Sequence, residues 1–327
     1  MTSFAITGWG LAVPQLAVSS AEIADRFGID EHWIVSRCGI RSRRYVEAGQ
    51  TTASLAIDAG RAALDRAGLT GADIAHLIVA TATPEQLSPA TSAFVHHGLG
   101  IAGSAHDVNA ECSGFVYGLV TAAALMALDP RPILLIGSDT HSLTVNPEDR
   151  DLSILVGDGA GAIVLTPSPD SWVKAWDLGA DGSKTDSLKV VAGGSRMPTT
   201  LETVRQGLHY AKIKGNEIYL NAVRFSVASI RTTLETAKVK PEDVDWVVPH
   251  QANLRIISSI LAHTGLTEEQ LISNIEAYGN TASASIPIAL TEALDAGRIA
   301  EGDLVLLAGF GAGMTWGSVL LEWGAAA

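Results

Sequence analysis

The chain has 327 residues, 47% hydrophobic and 17% charged, which supplies a large apolar core and excludes a disordered chain. Two cysteines exclude a disulfide-stapled scaffold. A formal net charge of −13 repels phosphate backbones and anionic lipid, so neither nucleic acid nor membrane is an expected partner.

In chain order, MTSFAITGWG lacks a basic segment followed by a long apolar run, which predicts an opening strand rather than a secretion signal and points to the cytoplasm. From Ala62 an amphipathic helix runs through a turn at Asp73 into the apolar strand LIVA. Phe115 to Leu128 is apolar but shorter than the ~20 residues of a membrane span, and predicts a buried helix. Strands follow at ILLIGS from Ile133 and AIVL after Gly157. The Pro- and Ser-rich TPSPDS, Thr166 to Ser171, ends the last of these, and Asp181 to Thr203 predicts a loop excursion.

At an offset of 170 residues the chain resembles itself: AALDRAGLTGADIAHLIVAT from Ala62 lies opposite TTLETAKVKPEDVDWVVPHQ from Thr232. ILLIGS followed by GDGAGAIVL also resembles VLLAGF followed by GAGMTWGSVLL, with Gly137 and Gly309 172 residues apart. Two related αβ halves are expected, 1–170 and 171–327, joined too tightly for independent domains on a linker.

Cys112 stands where a polar run meets a small-residue helix, a position that favours a thiolate through unpaired N–H groups and the helix dipole. A small buried hydrophobe is the competing reading, and for Cys38 packing is the expectation. His250 follows the strand DWVVP and precedes a helix, where open α/β sheets gather ligands; a structural histidine is an equal alternative. The other histidines, His141 among them, invite no functional account. Asn280 precedes a helix, and an N-cap explains it as well. The strings GDGAG and GFGAG run into strands rather than helices, which excludes a dinucleotide fingerprint, and no paired metal-ligand spacing occurs.

The strings HWIVSRCGIRSRR, ECSGF, DR followed by VGDGAGA, KGNEIY, PHQANLRI, AYGNTASAS and GFGAGMTWG, in this order over nearly the whole length, resemble the β-ketoacyl-acyl carrier protein synthase III family. The resemblance implies a thiolase fold: an α/β protein whose duplicated halves form a five-layered αβαβα core. It implies an acyl-cysteine at Cys112, with His250 and Asn280 completing a catalytic triad. Backbone N–H groups of Cys112 and Ala312 would form the oxyanion hole. Trp33, Arg37 and Arg150 would hold the CoA nucleotide, Asn216 and Asn253 its pantetheine arm, and Arg255 would dock the carrier protein. The implied reaction condenses an acyl-CoA with malonyl-acyl carrier protein, initiating fatty acid or polyketide chains with neither metal nor organic cofactor. Acyl transfer to another acceptor, and a non-catalytic partner role, are the alternatives. GFGAGMTWG carries no second cysteine, which sets biosynthetic thiolase aside.

Arg37, Arg41, Arg43 and Arg44 read as a local basic cluster. Glu111 would raise the thiol pKa if it faced the site, but strand alternation is expected to turn it away. Ala262, His263 and Leu220 stand where relatives carry basic residues, which weakens the expected docking patch. A homodimer is implied, with Pro84 to Pro89 reaching toward the partner, and Leu87, Ser88 and the loop Asp181 to Thr203 shaping the acyl pocket.

Overall fold

A computed structural model describes residues 4–168 and 173–324. The expected boundary at 170/171 lies outside the described residues.

Two sheets dominate. The first has the order Phe4–Ala12, Asp158–Pro167, Ile133–Thr140, His76–Ala80, Ser104–Val108; the second has Val173–Lys184, Gly313–Glu322, Leu304–Gly311, Trp246–Pro249. Ile133–Thr140 pairs in parallel with His76–Ala80 and antiparallel with Asp158–Pro167, which runs antiparallel to Phe4–Ala12. Leu304–Gly311 pairs in the same senses with Trp246–Pro249 and Gly313–Glu322, and the latter runs antiparallel to Val173–Lys184. The sequence repeat therefore has a counterpart in strand order and direction.

Strands this apolar need cover on both faces. Ile133–Thr140 is buried at every position, and its side chains alternate between two clusters. Leu134 and Ile136 pack with Ala59 and Ala63 of the outer helix Thr52–Ala67, while Leu135 packs with Phe115 and Leu119 of the central helix Gly114–Leu128. The outer helix starts where the Thr51 hydroxyl accepts the Ser54 N–H and stops at left-handed Gly68. Gly114–Leu128 and Ser285–Asp295 both touch strands of the two sheets, and Gly215–Ala237 with Leu254–Thr264 covers the outer face of the second sheet. Helix, sheet, helices, sheet, helix gives the five layers.

One glycine decides how close the middle layer comes. A Cβ at Gly137 would lie 2.4 Å from the Ser283 carbonyl oxygen, so glycine there lets the segment around Asn280 and Ser285 rest directly on the first sheet.

The excursion from Asp181 to Thr203 is more ordered than expected. Asp181 to Lys184 prolong a strand, Leu188–Val190 pairs with Ala211–Ile213, and Leu201–Arg205 is a helix capped by Thr200. Elements of three to five residues are too short for a hydrophobic period to register.

Candidate active site

Cys112 sits on a single 3-10 turn, Glu111–Ser113, that leads into the central helix. The turn is pinned from the opposite half: the Thr315 hydroxyl donates to the Ala110 carbonyl at 2.8 Å. Gly311 lies against it so closely that a Cβ there would stand 2.8 Å from the Cys112 nitrogen and from the Ala110 oxygen. Ala312 follows on the cavity wall.

His250 leaves the strand Trp246–Pro249 with its N–H on the Ala308 carbonyl at 2.7 Å. Its ring is 2% exposed, meets Phe310 edge to face at 5.1 Å, and has Nδ1 2.7 Å from Ser285 Oγ. Asn280 is fixed at both backbone ends, its N–H on Leu155 and its carbonyl accepting from Gly157. Its side-chain Oδ1 accepts the Ala282 N–H at 2.9 Å, so the expected cap is a local turn, and the Nδ2 amide stays available to the cavity it lines. Beneath this segment the fully buried Asp139 carboxylate accepts from Thr81, Ala82 and Thr83 on one oxygen and from the Ser283 N–H and hydroxyl on the other.

A cavity of 620 Å³ joins Cys112 and Asn280 to a second set; His250 is not among the residues that line it, although Phe310, which its ring meets, is. Cys112, Asn280 and Ala312 line it together with Trp33, Arg37, Arg150, Asn216, Asn253 and Arg255. The Arg37 and Arg150 guanidinium carbons lie 4.2 and 5.1 Å from the Trp33 ring centre, a flat aromatic and cationic cluster suited to a purine and its phosphates. Asn253 caps the helix Leu254–Thr264 through Oδ1, at 2.9 Å from the Arg255 nitrogen, and Arg255 is exposed on its first turn.

Electrostatics depart from expectation at the thiol. Cys112 is pushed well above the ordinary thiol pKa, first by burial and then by the Glu111 and Asp139 carboxylates. The helix begins beyond the 3-10 turn, and desolvation outweighs its N-terminal field. His250 is lowered to about 3 by burial and by neighbouring His141, so its imidazole is neutral at physiological pH.

Three further expectations are corrected. Glu111 lies on the 3-10 turn at φ 50 rather than in a strand, so alternation does not apply, and it lines the cavity beside Cys112. Its carboxyl is raised by burial against the opposing pull of His141. His141, passed over in the sequence, follows the strand Ile133–Thr140 directly and lines the same cavity. The strand-end position that singled out His250 applied equally to it. The basic cluster does not form: Arg43 is fully buried, donating to Ile154 O at 2.9 Å and Ser20 Oγ at 3.1 Å, while Arg41 pairs with Glu276 at 2.7 Å. Cys38 packs as expected, fully buried. Ser285 and Asp139 carried no sequence signal. Among the described residues no group of three His, Cys, Asp or Glu is spaced for a metal.

A five-layered frame with a cysteine at the floor of such a cavity defines the class: an acyl-transferring condensing enzyme of thiolase fold. The family description 3-oxoacyl-[acyl-carrier-protein] synthase III matches residues 106–182, and that of its C-terminal part matches 234–323. A β-ketoacyl-[acyl-carrier-protein] synthase III of Roseiflexus sp. (strain RS-1) is 43% identical over 98% of both chains, and one of Rhizobium meliloti (strain 1021) is 41% identical over 97% of this chain and 98% of its own. The crystal structure of 3-oxoacyl-[acyl-carrier-protein] synthase III from Aquifex aeolicus VF5 superposes with a TM-score of 0.89 at 36% identity, covering 98% of this chain and 100% of that one. The priming β-ketosynthase of the R1128 polyketide pathway superposes at 0.91 with 31% identity, covering 99% and 97%. The chain belongs to the 3-oxoacyl-[acyl-carrier-protein] synthase III family.

Proposed function

We propose that the chain starts fatty acid or polyketide chains by decarboxylative condensation of an acyl-CoA with malonyl-acyl carrier protein, through a thioester on Cys112. The observation that carries this reading is that Cys112, Asn280 and Ala312 line one cavity with the Trp33, Arg37 and Arg150 cluster.

In the first half-reaction Cys112 Sγ bonds to the acyl carbon, the C–S bond to CoA breaks, and the thiol proton leaves with the CoA sulfur. Because the thiol is held neutral, proton loss accompanies attack rather than preceding it. The N–H groups of Cys112 and Ala312 hold the oxyanion. Trp33, Arg37 and Arg150 bind the nucleotide, and Asn216 and Asn253 the pantetheine amides. In the second, the malonyl C–CO₂ bond breaks and its electron pair becomes an enolate. The neutral His250 Nε2–H and the Asn280 amide donate to the enolate oxygen. Its carbon then attacks the acyl carbon and releases Cys112 thiolate. Arg255, exposed beside the cavity, meets the acidic carrier protein.

The reading extends to a cytoplasmic homodimer of two duplicated halves, 1–170 and 171–327. Both cysteines are free, the sheets share strand order, and Leu87, in the segment Pro84 to Pro89, is 85% exposed. Light scattering at micromolar concentration tests the dimer.

Intact-protein mass spectrometry after mixing with acyl-CoAs tests the chemistry. An acyl mass increase absent in Cys112→Ala, discharged by malonyl carrier protein with CO₂ release, is expected. A stable adduct that malonyl carrier protein does not discharge would move the assignment to acyl transfer without condensation.

A further inference from the structure

The proposed reaction leaves two cavity groups without a task, Glu111 and His141. Thr144 Oγ1 donates to the His141 carbonyl at 3.0 Å and lies 3.3 Å from His141 Nδ1. With its only proton so engaged, that hydroxyl accepts from Nδ1, which makes Nδ1 the protonated nitrogen of the neutral ring. His141 Nε2 is then a bare acceptor, and it is buried with no hydrogen-bond partner.

Glu111 is the second acceptor. No side chain or backbone group among the described residues donates to its carboxyl, and it lines the same cavity as His141. The hydroxyls of Thr83 and Thr144 in this wall are already spent, on Asp139 and on the His141 carbonyl. Cys112 S–H is the remaining weak donor beside Glu111, and acylation removes it. Once the acyl-enzyme forms, two acceptors in this cavity wall, the buried His141 Nε2 and the Glu111 carboxyl, have no protein donor, a state that costs more than a matched pair.

We propose that Glu111 and His141 form a recognition site for an acyl group that carries its own hydrogen-bond donor, a hydroxyl or an amine, near the thioester. A hydroxyl satisfies one acceptor. An ammonium reaches both and adds charge attraction to Glu111. A plain alkyl group satisfies neither. This inference rests on the acyl-cysteine reading above and narrows its substrate to polar short acyl-CoAs.

Three thioesters of nearly equal size separate the possibilities: butyryl-CoA, 3-hydroxypropionyl-CoA and 3-aminopropionyl-CoA. Acylation of Cys112 is followed by intact mass in the full-length enzyme, in Glu111→Gln and in His141→Leu, with Cys112→Ala as control. At least one donor-bearing thioester is expected to exceed butyryl-CoA by roughly tenfold or more in kcat/KM, with the ratio falling toward unity in both variants. The hydroxyl arm winning identifies a neutral donor, and the amino arm winning identifies an ammonium held by Glu111. Butyryl-CoA reacting as well as both analogues overturns the inference, as does a preference that both variants retain. If none of the three adds Cys112-dependent mass, the acyl-cysteine reading itself fails, an outcome distinct from a lost preference.

Discussion

His250 Nδ1 and Ser285 Oγ lie 2.7 Å apart, and the same oxygen accepts the Gln251 N–H at 3.2 Å. The arrangement that satisfies every group has the Ser285 hydroxyl donate to Nδ1, which places the ring proton on Nε2, the nitrogen that the proposed enolate contact requires. Ser285→Ala is expected to leave Cys112 acylation intact while lowering malonyl decarboxylation about tenfold, the worth of one hydrogen bond. Nitrogen-15 shifts of His250 report the cause: a single Nε2–H tautomer in the parent and a mixture in the variant.

Asp139 is a second positioning group, with no ion pair among the described residues and donors from two distant segments on its oxygens. Replacing it by Asn keeps the shape but turns one acceptor into a donor aimed at N–H or O–H groups. A loss of about 2 to 3 kcal/mol of stability is expected in chemical denaturation. A variant as stable as the parent would show that the carboxylate is dispensable.

Alkylation of Cys112 by iodoacetamide follows the thiolate fraction. With the thiol raised well above 9, the rate should climb roughly tenfold per pH unit from pH 6 to 9 without levelling. A plateau near neutrality would mean the burial effect is overcome.

The depressed His250 gives a stability prediction with a definite sign. Its ordinary pKa is 6.5 and its folded value about 3, so between these the unfolded chain binds the extra proton. This contribution is whole above pH 6.5 and is lost on acidification, by about 1 kcal/mol per pH unit. His250→Gln, which cannot titrate, should show a shallower fall in denaturation midpoint between pH 6.5 and 5.

Gly311→Ala tests the contact behind Cys112. With the added carbon 2.8 Å from the Cys112 nitrogen, the turn or the loop must shift, and Cys112 acylation should fall at least about tenfold while the fold persists.

The layered fold was legible because its evidence is repetitive: apolar strand runs, small-residue helices and glycines recurring in the same order in both halves of the sequence. Cys112, Asn280 and Trp33, which line one cavity, stood out through their strings, as did His250, which packs against the cavity-lining Phe310. Arg43 was not, because four arginines in eight residues read as surface until a tertiary carbonyl is there to accept from one. Glu111 and the thiol pKa were hidden for a related reason. A single residue at positive φ redirects a side chain, and burial sets the thiol's proton affinity, and neither is written in local spacing. His141 directly follows a strand just as His250 does, so the same local signal marks both.

The hydrogen bonds from Ser283 to Asp139 and to the Ala80 carbonyl span 144 and 203 residues of chain. During synthesis these partners leave the ribosome far apart in time, so the cavity has no floor until almost the whole polypeptide is out. A nascent chain ending before Ser283 carries its thiol without the neighbours that would put it to work. The complete site is assembled in one late step, when Ser283 joins Ala80 and Asp139.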